Sequence, residues 1–92
     1  METNIQTYPF ALNAITKLRG VTYNSKSDGK PEVGLIAEEV ASVIPEVVSF
    51  QEGSAQGVDY SRLTAVLIQA VKEQHEEITR LKARLDRIGS QK

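Results

Sequence analysis

Val58-Asp59-Tyr60-Ser61-Arg62-Leu63 opens a stretch that runs without proline to Ile88. Its hydrophobic residues recur at helical spacing, so we predict a single helix over residues 60–88. Asp59 or Ser61 can cap the start of this helix, because either side chain can accept a hydrogen bond from a free amide of the first turn. Gly89 follows the last apolar residue, where a left-handed cap favours glycine. The chain thus divides into a globular part, residues 1–59, the helix, and a tail, residues 89–92.

A heptad repeat runs along this helix from Leu67 onward, because the large residues alternate at steps of four and three. In heptad notation the a positions are Thr64, Val71, Ile78 and Leu85, and the d positions are Tyr60, Leu67, Gln74, Leu81 and Ile88. We call the set from Leu67 onward the heptad seam and predict that it mediates oligomerisation; it comprises Leu67, Val71, Gln74, Ile78, Leu81, Leu85 and Ile88. Glu77 at g and Lys82 at the following e have the spacing of an interchain ion pair.

Gln74 is the one polar residue in the heptad seam. A polar layer lowers the stability of a coiled coil but specifies its register and its number of strands. The alternative interpretation is a solitary amphipathic helix that packs on its own domain. We favour a coiled coil for the half after Gln74, because that half is rich in charge outside the seam and has only its own copies to pack against. The seam residues are compatible with both dimers and trimers.

The first half of the helix carries a wider apolar face than a coiled coil requires. Its residues are Leu63, Val66, Leu67, Ile68, Ala70 and Val71. Such a face suits a helix that is buried in a globular domain. We therefore expect the helix to pack on the domain first and then to project from it.

The first 59 residues predict a small α+β domain. We expect a helix of about ten residues after Pro9 and a second helix over 37–43, which Pro45 ends. The expected strands cover 21–24, 33–36, 47–50 and 57–60. A loop over 25–31 joins the first two strands, and a turn over 52–57 joins the last two. We expect the aromatic residues Phe10, Tyr23, Phe50 and Tyr60 in the core.

Composition argues against several classes of protein. The 92 residues suffice for one domain, and oligomerisation would help to stabilise its small core. The net charge of -1, from 11 basic and 12 acidic residues, gives no electrostatic basis for binding nucleic acid. Cysteine is absent, so the chain has no disulfide framework and no thiolate metal site. No apolar run approaches the length of a membrane span. We predict no cofactor and no metal.

The residues that could carry chemistry do not form an active-site pattern. His75 is the only histidine and falls at an e position on the helix, so no second imidazole supports a metal site. Ser27 lies near Lys26 and Lys30, but this Ser/Lys cluster is in a turn-rich loop. No set of histidine and aspartate partners is available to activate a serine.

Three acidic residues are better explained by structure than by catalysis. Glu38 and Glu39 are adjacent, so on a helix their side chains diverge by about 100° and cannot share a proton. We expect them at the surface, or in contact with a basic residue of another copy. Asp59 is expected to be a cap or a buried anchor.

Several phrases, taken in order, resemble one family. They are Leu12-Asn13-Ala14-Ile15, Leu18-Arg19-Gly20-Val21-Thr22-Tyr23, Val33-Gly34-Leu35-Ile36-Ala37-Glu38-Glu39-Val40, Ile44-Pro45-Glu46-Val47-Val48, and the run from Val58 to Glu73. The chain resembles the intramolecular chaperone auto-processing domain, or peptidase S74 domain, found at the C-terminus of bacteriophage tail spikes, tail fibres and endosialidases. The motif residues are Gly34, Ile36, Ala37, Glu38, Glu39, Val40, Pro45, Asp59, Tyr60 and Leu63. Each phrase is weak alone, but the ordered set covers nearly the whole chain.

The resemblance implies a homotrimeric chaperone that brings three fibre chains into register and is then released by self-cleavage. Its expected partners are two further copies of itself and the upstream fibre or spike domain of the same polypeptide. It would belong to a virion tail precursor that is assembled in the host cytoplasm. The long helix of this chain would form a trimeric coiled coil.

The resemblance also bears on self-cleavage, for which the family uses a Ser-Asp-x-x-x-Lys-x-Asn-Ile type segment. Thr3-Asn4-Ile5 matches the end of that segment, Glu2 falls at the lysine position, and the serine would lie upstream of Met1. We therefore expect no catalytic residue and no peptidase activity in this chain. Two other functions stay open, namely a permanently attached trimerisation module and an adaptor whose helix docks in a partner groove.

Overall fold

The computed structural model describes residues 2–89. Its elements, in chain order, are α1 Ala11–Ile15, β1 Val21–Asn24, β2 Pro31–Gly34, α2 Ala37–Ala41, a 3-10 helix Pro45–Val47, β3 Val48–Gln51, β4 Ser54–Val58 and α3 Tyr60–Gly89. These elements confirm the predicted α+β class, with short helices, two antiparallel hairpins and a long C-terminal helix. The tail beyond Gly89 lies outside the described residues.

The two hairpins are separate two-stranded sheets. In the first, Val21 is opposite Gly34 and Asn24 is opposite Pro31, so β2 begins two residues earlier than the predicted strand over 33–36. In the second, Val48 is opposite Val58, with an irregularity in the register after Ser49.

The predicted pairing of this hairpin is confirmed, but the bounds of the turn over 52–57 and of the strand over 57–60 are wrong, because β4 is Ser54–Val58. Glu52 and Gly53 alone form the tip, with φ of 52° and 82°. Two positive φ values in a two-residue loop match the right-handed twist of antiparallel strands, so the remaining residues can continue the ladder. Strand β4 therefore ends at Val58, which leaves Asp59 to precede α3 and places Tyr60 in the helix.

Both short helices end earlier than predicted. Helix α1 has five residues rather than about ten, because Phe10 before it has a left-handed φ of 55° and tight three-residue turns follow it. Helix α2 stops at Ala41, although the amides of Val43 and Ile44 still donate to the carbonyl of Val40. Pro45 then starts the 3-10 helix, where its missing amide is not required.

The core is built from eight small or aliphatic residues. They are Ala11, Val40, Ile44, Val47, Val48, Leu63, Val66 and Ala70. Helix α3 supplies the last three, which lie on one stripe of its surface at helical spacing. The expectation that the four aromatic residues fill the core is wrong, since Phe10, Tyr23, Phe50 and Tyr60 are all exposed. So short a globular part encloses too little volume to cover large rings.

Helix α3 leaves the body of the domain after Glu73. Every residue from Gln74 to Gly89 is exposed. The radius of gyration is 18.3 Å, whereas a compact domain of this length would have about 12 Å. The wide apolar face predicted for the first half is only half buried, because Leu67, Ile68 and Val71 face solvent. Within residues 2–89, no helix combines the length and the apolar character that crossing a membrane demands.

Candidate self-association surface

Asp59 caps the start of α3. One carboxylate oxygen, Oδ1, accepts hydrogen bonds from the amides of Ser61 and Arg62, at 3.1 and 3.2 Å, and from the Ser61 hydroxyl at 2.6 Å. The Ser61 hydroxyl, followed by the Arg62 amide, holds the pKa of Asp59 below its ordinary value. The cap prediction is therefore confirmed for Asp59, and the alternative of a buried anchor is wrong because Asp59 is exposed.

Tyr60 joins the first hairpin to the start of α3. Its hydroxyl accepts a hydrogen bond from the Leu35 amide at 3.1 Å. A Cβ added to Gly34 would lie 2.9 Å from this hydroxyl oxygen, which is closer than two such atoms can approach. The close approach explains why glycine precedes Leu35 here.

Glu39 pairs within its own chain. Its two carboxylate oxygens accept hydrogen bonds from Nε and Nη2 of Arg19, at 3.0 and 2.8 Å. This bidentate bond lowers the pKa of Glu39 and ties α2 to the segment after α1. The interchain contact expected for the adjacent carboxylates is thus not available to Glu39, whereas Glu38 is exposed.

The remaining residues of the family motif lie in the core, at the start of α2 and in the 3-10 helix. Val40 and Leu63 are in the core, while Ile36 and Ala37 are half-buried at the start of α2. Pro45 is exposed and begins the 3-10 helix. All of these positions have structural roles in building the body on which α3 packs.

Glu73 is a further anchor that the sequence did not reveal. Its Oε1 accepts a hydrogen bond from the Leu12 amide at 3.0 Å, and its Oε2 accepts one from the Ala11 amide at 3.2 Å. These are free first-turn amides of α1, which receives no side-chain cap from Phe10. The Leu12 amide, then the Ala11 amide, lowers the pKa of Glu73. The spacing of Glu73 could have indicated this contact, because Glu73 continues the buried stripe of Leu63, Val66 and Ala70.

The heptad seam is exposed along its whole length. The exposed fraction of its apolar residues runs from 41% at Leu67 to 67% at Leu85. The core stripe occupies the c and g positions of the same helix, so the body covers one flank and leaves the a and d positions open. From Leu67 to Ile88 the open strip is about 30 Å long.

The polar residues in and beside the heptad seam are also open to solvent. Gln74, His75, Glu77 and Lys82 are exposed on α3. Among residues 2–89, no group of His, Cys, Asp and Glu side chains could hold a metal ion. Glu2 is exposed.

Comparison with known proteins gives a consistent assignment. The family model for Peptidase S74, described as chaperone of endosialidase, matches residues 1–49. The long tail fiber protein Gp37 of Enterobacteria phage M1 is 36% identical over 84 residues, which cover 82% of this chain and 34% of the relative. The protein of the same name from Enterobacteria phage Ox2 is 36% identical over 81 residues, covering 78% and 32%. The chain thus spans about a third of the length of these relatives, and it belongs to the Peptidase S74 family of endosialidase chaperones.

Proposed function

We propose that this chain is the intramolecular chaperone of a phage long tail fibre, and that it trimerises through the heptad seam. The observation that carries the proposal is the exposed seam on a helix whose adjacent flank is already packed on the body. In the part of the chain that the structure describes, Ile78, Leu81, Leu85 and Ile88 remain 46–67% exposed. The similarity to long tail fibre proteins supports the fibre as the attached partner.

Burial of the seam can supply the driving force for association. Complete burial of a large aliphatic side chain stabilises by about 1.5–3 kcal/mol. The six apolar seam residues are already partly covered, so each contributes about 1 kcal/mol per chain on assembly. Summed over three chains, this is about 18 kcal/mol. It offsets the cost of lost translational and rotational freedom, which is on the order of 10 kcal/mol for each of the two associations that form a trimer.

Trimerisation would solve the register problem of a long fibre. Three separate chains must find one alignment before their non-local β-pairings stabilise them. A local trimer raises the effective concentration of the attached segments and sets their relative register. We place the chaperone in a virion tail precursor that is assembled in the host cytoplasm.

Absolute mass in solution tests this proposal. Light scattering at micromolar concentration should give three times the 10.1 kDa chain mass. Ile78→Asp combined with Leu85→Asp should give a single chain, because two carboxylates would be buried in the seam. Ile5→Asp is the matched control, since Ile5 is exposed and lies off the seam. A single-chain mass for the natural sequence would contradict the proposal and favour the adaptor function.

Refolding tests the chaperone role separately. The upstream fibre with this segment attached should recover its native trimer, whereas the fibre without it should aggregate. Fibre carrying the Ile78→Asp and Leu85→Asp substitutions should behave like the truncated fibre. Equal recovery in all three would show that the segment is not needed for folding.

Glu2 favours a second candidate, a trimerisation module that stays attached to its fibre. A carboxylate is too weak a base to replace the family lysine in activating a serine. A longer polypeptide that includes the upstream fibre should therefore show one intact mass, and Glu2→Lys should restore two fragments if the upstream residues are competent. Two fragments from the natural polypeptide would contradict this.

A further inference from the structure

The exposed apolar surface of α3 extends beyond the heptad seam in the half that lies on the body. Ile68 occupies an e position and is 59% exposed, next to Leu67 and Val71. We call these three residues the shoulder patch. An a, d and e face is wider than a two-helix contact requires and suits packing against a broader partner.

The flank of α3 opposite to Ile68 is closed by the chain's own body. Leu63 and Ala70, at g, and Val66, at c, are buried, and α1 packs along this flank, where Glu73 pins its first turn. In a parallel coiled coil the e residue of one helix faces the g residue of its neighbour, five positions earlier. Ile68 of one copy therefore approaches Leu63 of the next copy. In that next copy, Leu63 is covered by the body of the same chain.

We propose that the shoulder patch docks on the globular body of a second copy, on the side that covers Leu63. This inference rests on the proposed trimer. The body, and not only the helix, then belongs to the interface between copies. Three shoulder contacts would close a ring around the start of the coiled coil, so the body must be folded before the full interface can form.

Two e positions of α3, Ile68 and Lys82, differ as this arrangement predicts, and the polar His75 lies between them. Ile68 is apolar on the turns where the neighbouring body flanks the helix. Lys82 is charged farther along, where the g residue opposite to it is the exposed Glu77. Along the e edge of α3, Ile68 would thus contact the body of a neighbouring copy, and Lys82 would pair with a charge on the neighbouring helix.

Thiol accessibility tests the proposal cleanly, because the natural chain contains no cysteine. Three variants would each introduce one thiol. Ile68→Cys places it at an e position beside the body, and Lys82→Cys places it at an e position beyond the body. Glu76→Cys places it at an f position, away from the seam. In the assembled protein the Ile68→Cys thiol should react with a maleimide at least tenfold more slowly than the other two. Adding Ile78→Asp and Leu85→Asp should remove this difference.

The outcomes separate this proposal from the trimer itself. Correct trimeric mass together with equal reaction at Ile68→Cys and Lys82→Cys would overturn the shoulder contact alone. A single-chain mass would overturn both. Ile68→Asp provides a second test that does not use labelling. It should raise the dissociation constant of the assembly at least tenfold. Glu76→Asp is the control and should leave the dissociation constant unchanged. An unchanged dissociation constant for Ile68→Asp would count against the contact.

Discussion

At the scale of single residues, Gly34 and Tyr60 restrict each other. The tyrosine hydroxyl that accepts the Leu35 amide occupies the space in which a Cβ at Gly34 would lie. A larger residue at Gly34 must displace the ring and break this hydrogen bond. Glycine is needed here for space rather than for backbone conformation, since only Gly29 and Gly53 among the described glycines have positive φ.

Gly34→Ala should therefore destabilise the domain by about 1 kcal/mol, the typical net value of one hydrogen bond. Tyr60→Phe should cost a similar amount for the same reason. Adding Gly34→Ala to Tyr60→Phe should cost less than Gly34→Ala alone, because the clashing oxygen is gone. Urea denaturation of the four proteins measures this coupling, and strictly additive losses would show that the two sites are independent.

Glu73 should make stability sensitive to acid. Its pKa is lowered in the folded protein, so it contributes stability above its ordinary value of 4.5, and this is lost as pH falls through the folded pKa. Glu73→Gln mimics the protonated side chain. The variant should be less stable than the natural protein at pH 7, and the difference should close as pH falls through the lowered pKa of Glu73.

Chemical denaturation across pH measures the Glu73 effect, and amide exchange at Ala11 and Leu12 localises it. Glu76→Gln is the control, because Glu76 is exposed on the same helix. Glu39 and Asp59, whose pKa values are also lowered, add to the acid sensitivity of all three proteins equally. A gap between Glu73→Gln and the natural protein that stayed constant with pH would refute the cap.

At the scale of the element, α3 performs two tasks on two adjacent faces. The c and g positions hold the body through Leu63, Val66, Ala70 and the carboxylate of Glu73. The a and d positions remain available for other copies. Because the two faces use different heptad positions, packing the helix on its body leaves the a and d residues exposed.

Gln74→Leu tests how the polar layer acts in this helix. An apolar residue at this d position should raise the melting temperature of the assembly, because burial of an amide opposes association. The same change should broaden the distribution of oligomers, since the polar layer no longer penalises other registers and strand numbers. Sedimentation velocity measures the distribution. A single species with no gain in stability would show that Gln74 is not buried between chains.

At the scale of the whole molecule, the body and the projecting helix are separable. The contacts that build the core end at Glu73, and the helix beyond it is exposed. Isolated helical segments of this length are marginal in water, so the proposed assembly would stabilise the projection, while the body has its own core.

A polypeptide of residues 1–78 should accordingly be a folded single chain with a cooperative thermal transition. A polypeptide of residues 1–72, which lacks Glu73, should melt at a lower temperature because α1 loses its cap. Circular dichroism during heating compares the two. An unfolded 1–78 polypeptide would show instead that the body requires assembly.

The sequence by itself determined the features that depend on neighbouring residues. The period of apolar residues predicted α3, and the polar residues at its start predicted a cap at Asp59 or Ser61. Both depend on residues within a turn or two of each other, where spacing alone decides which side chains meet. The class of fold and the position of the first strand followed in the same way.

Only the tertiary structure decided which residues of the wide apolar face are buried, because that depends on where α1 packs. The cap that Glu73 provides joins residues 62 positions apart, and no local spacing specifies it. The exposure of Phe10, Tyr23, Phe50 and Tyr60 likewise depends on the volume of the finished core. Contacts between distant segments compete for a small interior, and which of them are formed is settled only when the elements pack.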